Sequence, residues 1–216
     1  DRLQQALIAS ARSGRFAALM FLDLDNFKNI NDLHGHESGD ELLRQAAGRI
    51  TQAVRATDTV ARLGGDEFVV VLEELESYSA EAASQAEHVG MKILAALSQP
   101  YLIAGTLQRS SASIGVVLFN DNLSGVEELM KRADLSMYQA KNAGKNALRF
   151  FDPQMQESVS ARLRLEEEIR RGLAGGQFMA FLQPQFDADK GLIGAEVLVR
   201  WQHPQRGLLA PAHFID

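Results

Sequence analysis

The chain has 216 residues, 46% of them hydrophobic, which is enough for one complete domain and part of a second. It contains no cysteine, which excludes disulfide bonds and cysteine zinc sites and is compatible with the cytoplasm. The net charge of -6 argues against a general surface for nucleic-acid polymers, and no apolar run approaches the roughly 18 residues of a membrane span. We therefore expect no membrane contact in these residues, although a longer parent protein could be anchored through other segments.

The first predicted strand ends in acidic residues. Residues 3–12 have the pattern of an amphipathic helix, and the apolar run 16–22 predicts a buried strand. Because side chains alternate along a strand, Asp23 and Asp25 face one side of the sheet and Leu24 faces the other. A short helix over 26–33 and a turn at Gly35 are predicted to follow.

A long helix is predicted next, ending near residue 56. Ser38 and Glu41 have the spacing of a capping box, which predicts that the helix opens there. Its apolar stripe consists of Leu42, Leu43, Ala46, Ile50 and Val54.

A glycine pair then lies between two strand-like segments, residues 58–63 and 67–72. Gly64-Gly65 is a strong hairpin signal, so Asp66 and Glu67 are predicted at the tip of a turn. Glycines let a large anion approach the backbone, and neighbouring carboxylates suit a hard divalent cation. An ordinary solvated acidic hairpin is the alternative interpretation.

The remaining elements up to residue 151 continue to mix helices and strands. The patterns predict a helix over 80–97, a second hairpin made by 100–104 and 107–119, a helix from about Val126 that stops near Gly144, and a strand over 147–151. Antiparallel hairpins between helices predict an α+β fold, with a mostly antiparallel sheet flanked by helices.

Pro153 marks a predicted boundary. A charged helix over 155–174 is expected to be a solvated connector, and Gly175-Gly176 ends it before a hairpin of 178–186 and 192–201 that turns at 189–191. The last piece, about 40 residues, is too short to bury a core without help. We therefore predict a domain over 1–151, a linker over 152–176 and a domain fragment over 177–216.

Acidic and basic residues of the first domain suggest a common site. Asp23 and Asp66 would lie side by side if their strands are neighbours, and together they could hold Mg²⁺, which prefers one or two carboxylates plus water and substrate phosphates. Glu67 could bind a second ion. Three lysines could contact phosphate oxygens, although each one alone is more often a solvated charge: Lys28, Lys141 and Lys145.

The first part of the chain resembles the GGDEF-type diguanylate cyclases. The motifs that carry the resemblance are 21–28 (FLDLDNFK), 30–32 (IND), 35–36 (GH), 39–40 (GD), 62–68 (RLGGDEF), 113–116 (SIGV), 133–134 (AD), 138–141 (YQAK) and 144–146 (GKN). The resemblance implies a palm-like nucleotidyl-cyclase fold that condenses two GTP molecules into cyclic di-GMP across a homodimer, with two Mg²⁺ or Mn²⁺ ions per site.

The resemblance also implies roles for individual residues. Asp23 and Asp66 are the implied metal ligands, helped by the Leu24 carbonyl and Glu67, and Lys28, Asp66 and Glu67 are the implied catalytic group. Asn31 and Asp40 are implied to recognise guanine, because a carboxylate can accept hydrogen bonds from the N–H groups of that base. Gly64 and Gly65 border the substrate, and the triphosphate contacts are Lys28, Lys141 and Lys145. The family often has arginine at position 145, and lysine replaces that fork with a point charge.

A further implied site binds the product. Five residues separate the segment from Arg55 to Asp58 from Gly64. This is the position at which the family carries its product-inhibition motif. An arginine fork suits phosphate or guanine, and a carboxylate suits a guanine edge. An ion pair at a helix end is the alternative interpretation, worth about 0.2 to 0.5 kcal/mol.

From residue 163 onward the chain resembles the opening of an EAL-type cyclic di-GMP phosphodiesterase. The matching pieces are 182–185 (LQPQ), 194–201 (GAEVLVRW), 203–204 (HP), 206–207 (RG), Pro211 and 214–215 (FI). The resemblance implies that Glu196 is a metal ligand and that Gln183 and Arg200 touch the dinucleotide. A barrel of this kind needs about 200 residues or more, so we expect no hydrolysis of cyclic di-GMP by this chain.

Two other functions stay open at this point. The first is a catalytically silent GGDEF domain that binds GTP or cyclic di-GMP and controls an attached phosphodiesterase. The second is a structural interaction domain. Both turn acids are intact, which favours an active cyclase within a longer signalling protein that contains both domains.

Overall fold

The computed structural model describes residues 2–121, 125–188 and 191–214, with the backbone alone described for 153–163. The strands are β1 (Ala17–Asp25), β2 (Thr59–Gly64), β3 (Glu67–Leu72), β4 (Tyr101–Ile103), β5 (Thr106–Gln108), β6 (Ser111–Phe119), β7 (Ala147–Phe150), β8 (Phe178–Phe186), β9 (Leu192–His203) and β10 (Gly207–Leu209). The α-helices are α1 (Arg2–Ser13), α2 (Phe27–His34), α3 (His36–Ala53), α4 (Ser79–Leu97), α5 (Val126–Asn142) and α6 (Pro153–Ala174), and a short 3-10 helix covers Pro211–His213.

Five strands form the central sheet of the first unit, in the order β2-β3-β1-β6-β7. All neighbours pair antiparallel except β6 and β7, which are parallel because α5 crosses between them. The predicted α+β class with a mostly antiparallel sheet is confirmed. Among the described residues no helix is both long and apolar enough to cross a bilayer.

Strand β1 is buried on both faces because helices cover both sides of the sheet. Met20, Leu22 and Leu24 belong to a core shared with α3 and α4, whereas Leu19 and Phe21 belong to a second core shared with α1 and α5. This alternation follows from the period of two in a strand. It confirms that Leu24 and the two flanking aspartates face opposite sides, and it directs Asp23 and Asp25 toward the α5 side.

The predicted start of α3 is wrong. The helix begins at His36, directly after Gly35, whose φ of 81° is a conformation that glycine adopts without strain, and it ends at Ala53. Ser38 does not cap it, because its hydroxyl donates to the His34 carbonyl at 2.9 Å. Glu41 instead accepts from Gln45 at 2.9 Å and contacts Arg44, so the capping-box spacing was coincidental.

The predicted second hairpin is also partly wrong. Strand β4 pairs with β5 alone, as a two-stranded sheet, and β6 is a separate strand that pairs with β1 along nine residues. The long pairing with β1 wins because it buries both faces of β6, whereas β5 stays mostly exposed. A single strand over 107–119 therefore does not form.

The chain divides into two compact units, residues 1–159 and 160–216, and the division falls inside α6. In the second unit β8, β9 and β10 form an antiparallel sheet in the order β10-β9-β8, which confirms the predicted hairpin. The turn of this hairpin was predicted at 189–191, and residues 189 and 190 lie outside the described residues. Trp201 is fully buried against Phe178, with ring centroids 5.1 Å apart, and donates from Nε1 to Gln177 at 3.0 Å.

Candidate active site

The end of β1 meets the β2–β3 turn. Asp23 stands directly opposite Glu67 in the ladder, so the two side chains share one face of the sheet. One residue further along, the Leu24 amide donates to the Asp66 carbonyl at 3.2 Å. The predicted adjacency of the β1 acid and the turn acid is therefore confirmed.

The turn itself consists of Gly65 and Asp66, because Gly64 and Glu67 are already paired in the strands. Glu67 thus lies in β3 rather than at the tip, which corrects the prediction. Gly65 has a φ of 52°, and the Arg62 guanidinium donates to its carbonyl from Nε at 2.9 Å and from Nη2 at 2.7 Å. Arg62 received no role from the sequence, yet this fork holds the backbone that carries Asp66.

Burial and charge act together on Asp23, which is 7% exposed. Burial raises the pKa of Asp23 above its ordinary value, the hydrogen bond from Lys141 opposes this, and the charges of Asp66 and Asp25 add to the increase. Lys141 Nζ lies 2.7 Å from Asp23 Oδ2. Burial is thus the main cause of the raised pKa, and the nearby charge of Asp66 shows that the β1 end and the turn are close enough to interact.

The donor set fits a hard divalent cation. It offers the carboxylates of Asp23 and Asp66 and the Leu24 carbonyl, which are all oxygen ligands. Within the described ranges no group of three or more acidic, histidine or cysteine side chains could hold a metal. Two carboxylates and one carbonyl are sufficient for Mg²⁺, which takes few protein ligands and completes its octahedron with water and phosphate oxygens.

Two of the predicted phosphate contacts border this edge. Lys141 lies on Asp23, as described, and Lys145 follows α5 in a turn where its Nζ donates to Asn26 Oδ1 at 2.7 Å. Lys28 is exposed on α2, and no contact places it on Asp23 or Asp66. The structure thus brings Lys141 to the acids and Lys145 to the start of α2.

Asp25, to which the sequence assigned no function, holds the turn between α5 and β7. The residue is 2% exposed, and its carboxylate accepts hydrogen bonds from Ser111 Oγ at 2.6 Å, from Ser113 Oγ at 2.8 Å and from the backbone N–H of Asn146 at 3.0 Å. The alternation of Asp23 and Asp25 indicated a shared face. The partner residues, 86 to 121 positions away, had no local signal.

Asn31 and Asp40 lie on α2 and α3, which pack against each other. Asn31 Oδ1 is buried, and no donor among the described residues reaches it. Because a buried acceptor without a partner costs about 1 to 3 kcal/mol, this atom is a candidate for a ligand contact. Gly39 makes room for it, since a Cβ there would stand 1.8 Å from Asn31 Oδ1. Asp40 is exposed.

Arg55 and Asp58 line a separate cavity of about 240 Å³ whose other lining residues come from the end of β3, the segment after it and α4. Asp58 accepts from the Arg55 amide at 2.8 Å and from the Glu73 amide at 3.4 Å. The Arg55 side chain is exposed. Among the described residues the two side chains therefore form no ion pair, which was the alternative interpretation, and Asp58 instead accepts from the backbone of Arg55.

In the second unit Gln183 and Glu196 stand opposite each other on β8 and β9, and both are exposed. Arg200 lies further along β9, where its guanidinium is 5.8 Å from the centre of the Phe181 ring. Gln183 and Glu196 therefore form a polar pair on one sheet face.

Comparison with known protein families finds two matches. Residues 1–147 match the model described as diguanylate cyclase, GGDEF domain, and residues 166–216 match the EAL domain. Among curated proteins the whole chain is 44% identical to the bifunctional diguanylate cyclase/cyclic di-GMP phosphodiesterase MucR of Pseudomonas aeruginosa, of which it covers 31%. The chain spans about a quarter to a third of the length of curated relatives that it matches.

Solved structures support the same assignment. The GGDEF domain of TpbB (YfiN) from Pseudomonas aeruginosa is 35% identical with a TM-score of 0.64, over 69% of this chain and 90% of that one. The GGDEF domain of DgcB from Caulobacter crescentus, solved in complex with c-di-GMP, is 28% identical with a TM-score of 0.62, over 70% of this chain and 86% of that one.

Proposed function

Because this chain belongs to the diguanylate cyclase GGDEF family and continues into the start of an EAL domain, we propose that it joins two GTP molecules into cyclic di-GMP. The observation that carries the proposal is the meeting of Asp23 and Asp66 at one sheet edge with Lys141 on Asp23. In the reaction the 3′-hydroxyl of each GTP attacks the α-phosphate of the other. Two bonds between a 3′-oxygen and an α-phosphorus form, the two bonds that link the α-phosphorus to the β-phosphate oxygen break, and two pyrophosphates and the two hydroxyl protons leave.

Asp23, Asp66 and the Leu24 carbonyl would hold a divalent cation, Mg²⁺ or Mn²⁺, and Glu67 would help to hold a second. When bound, such ions neutralise charge on the phosphates and activate the attacking hydroxyl. The protein itself places the carboxylates: the Arg62 fork fixes the turn that carries Asp66, and burial on β1 fixes Asp23. A preformed site of this kind spends little energy on reorganisation during reaction.

The lysines and the α2–α3 pair would bind the nucleotide itself. Lys141, Lys145 and Lys28 contact the triphosphate, and the glycines at 64 and 65 let the phosphates approach the backbone. Asn31 and Asp40 read the guanine, with the buried Asn31 Oδ1 accepting from a base N–H group. We accordingly propose a nucleoside triphosphate with a guanine base as the substrate and the cytoplasm as the compartment of the reaction.

One copy of the domain offers one such site, so turnover requires a homodimer in which two bound GTP molecules face each other. Holding both near attack geometry replaces a bimolecular encounter, which is equivalent to an effective concentration of roughly 10⁵ M or more. The proposal is tested by incubating the purified chain with GTP and Mg²⁺ and separating the nucleotides. We expect one cyclic di-GMP for every two pyrophosphates released.

Product binding would occur at Arg55 and Asp58. The exposed Arg55 guanidinium beside the 240 Å³ cavity suits a phosphate or a guanine edge. We expect Arg55→Ala to raise the cyclic di-GMP concentration that halves the initial rate by about tenfold or more, because a charged hydrogen bond of about 1.5 to 3 kcal/mol is lost. The uninhibited rate should stay within about twofold.

The matched control for this prediction is Arg44→Ala, which removes an exposed arginine from α3. It should leave inhibition by cyclic di-GMP unchanged. Equal inhibition of the wild type and Arg55→Ala would remove the assignment of this site.

The alternative is a silent module that binds GTP or cyclic di-GMP and controls an attached phosphodiesterase. The cavity at Arg55 favours this silent module, because a ligand bound in the cavity requires no reaction at Asp23. The intact pair of Asp23 and Asp66 favours the cyclase. In the EAL portion, Glu196 would contribute to a metal site and Gln183 and Arg200 would contact the dinucleotide, and we propose no hydrolysis by these residues alone.

A further inference from the structure

A buried carboxylate that the proposed chemistry does not use lies behind the phosphate contacts. We propose that Asp25 is a positioning residue that holds the turn between α5 and β7, and with it Lys145 and Lys141, in place for a triphosphate. The inference rests on the proposed function, since it concerns how the same site binds GTP.

The carboxylate of Asp25 reaches two different elements at once. Oδ1 accepts from Ser113, and Oδ2 accepts from Ser111 and from the Asn146 amide, at 2.6 to 3.0 Å. Ser111 and Ser113 lie on β6 beside β1, so these two bonds fix the rotamer of Asp25 within the sheet. The bond to Asn146 then attaches the turn to that fixed carboxylate.

The turn needs such an attachment because its backbone is strained. Gly144, Lys145 and Asn146 have φ values of 118°, 64° and 44°, a region that is unfavourable for the lysine, whereas glycine and asparagine adopt it more readily. A residue such as lysine in this region costs of order 1 kcal/mol or more and persists where the surroundings determine its conformation. The hydrogen bond from the Asn146 amide to Asp25 is one such determinant.

The lysines on either side of this turn depend on its position. Lys141 is in the last turn of α5 and reaches Asp23, and Lys145 reaches Asn26, the residue that follows Asp25. Both ammonium groups therefore approach the end of β1 from the same segment. Releasing Asn146 from Asp25 would let this segment move and would separate Lys145 from the site.

The anchor needs acceptor oxygens at position 25, because two hydroxyls and the backbone N–H of Asn146 all donate to it. Asparagine could keep much of the anchor, since its oxygen can face Ser111 and Asn146 while its NH₂ group donates to the Ser113 hydroxyl. Alanine removes both acceptor oxygens and leaves the Asn146 N–H without this partner. Asp25→Ala is therefore the variant that tests the anchor.

The test measures nucleotide affinity in the full chain by calorimetry with Mg²⁺, using 3′-deoxy-GTP, which cannot react, and GMP, which lacks the outer phosphates. We expect Asp25→Ala to weaken 3′-deoxy-GTP binding about tenfold or more and to change GMP binding by less than about twofold. In a double-mutant cycle with Lys145→Ala, the double variant should lose little more affinity for 3′-deoxy-GTP than the single variant with the larger loss.

The matched control is Ser136→Ala, which removes another buried hydroxyl, bonded within α5 to the Arg132 carbonyl, and should change neither affinity. If Asp25→Ala does not fold, Ser111→Ala removes one hydrogen bond of the same anchor and should give a smaller loss of affinity that is again confined to 3′-deoxy-GTP. Equal losses for 3′-deoxy-GTP and GMP, or additive losses in the cycle, would overturn the inference. A wild-type chain that binds 3′-deoxy-GTP no tighter than GMP would instead overturn the proposed function.

Discussion

Replacing Asp66 by alanine is expected to reduce cyclic di-GMP formation at least 10²- to 10³-fold, which is the typical cost of removing one group that stabilises transition-state charge. The side chain sits on a two-residue turn, half-buried, beside the buried Asp23. Without it a divalent cation would keep one carboxylate and the Leu24 carbonyl, which is too few to order the phosphates. The measurement is the initial rate of product formation at saturating Mg²⁺ and GTP.

The fold should survive this change, because the Asp66 backbone is held by the Leu24 amide and the neighbouring Gly65 by Arg62. A thermal unfolding curve close to that of the wild type would establish this. Glu81→Ala, which removes an acidic residue from the first turn of α4, is the matched control and should keep the full rate. An Asp66→Ala protein with more than about a tenth of the wild-type rate would contradict the assignment.

Gly39→Ala is expected to raise the KM for GTP about 10- to 100-fold while leaving kcat nearly unchanged. The new Cβ would stand 1.8 Å from Asn31 Oδ1 and 2.8 Å from Asn31 Cγ, so the amide must rotate away from its present position. Its contact to guanine would be lost, which corresponds to about 1 to 3 kcal/mol for an unsatisfied buried polar group. Steady-state kinetics over a range of GTP concentrations measure both constants.

The same helix supplies the control for this prediction. Gly48 also lies in α3, and a Cβ there would meet no atom within 4 Å. Gly48→Ala should leave the KM unchanged and stabilise the helix by about 0.5 to 1 kcal/mol, because alanine loses less conformational entropy than glycine. If both alanine variants leave the KM for GTP unchanged, Asn31 does not read the base.

Local patterns in the sequence were sufficient for the elements that carry the acids. The apolar run before Asp23 predicted its strand, and the glycine pair at 64 and 65 predicted the hairpin that carries Asp66, through strand alternation and turn chemistry, which are local. The meeting of Asp23 with Asp66 was predicted only on the condition that their strands are neighbours, which is a long-range contact. The structure confirms that meeting through the pairing of β1 with β3.

The parts that the sequence did not predict depend on contacts between distant segments. The capping-box spacing at Ser38 did not set the start of α3, because the helix begins directly after the turn at Gly35. The run 107–119 was divided because β6 pairs with β1 along its whole length. The role of Asp25 requires Ser111, Ser113 and Asn146 to come together, which only the folded sheet accomplishes. Tertiary pairing therefore decided what local propensity left open.

The central claim is that two copies of this domain, each with one GTP on the Asp23 and Asp66 edge, make cyclic di-GMP together. The most direct measurement is the initial rate of product formation per chain across a dilution series of the purified protein, with GTP and Mg²⁺ saturating. We predict that cyclic di-GMP forms and that the rate per chain rises with protein concentration until the dimer is fully populated. GTP binding without any cyclic di-GMP at the highest protein concentration, after long incubation, would contradict the claim.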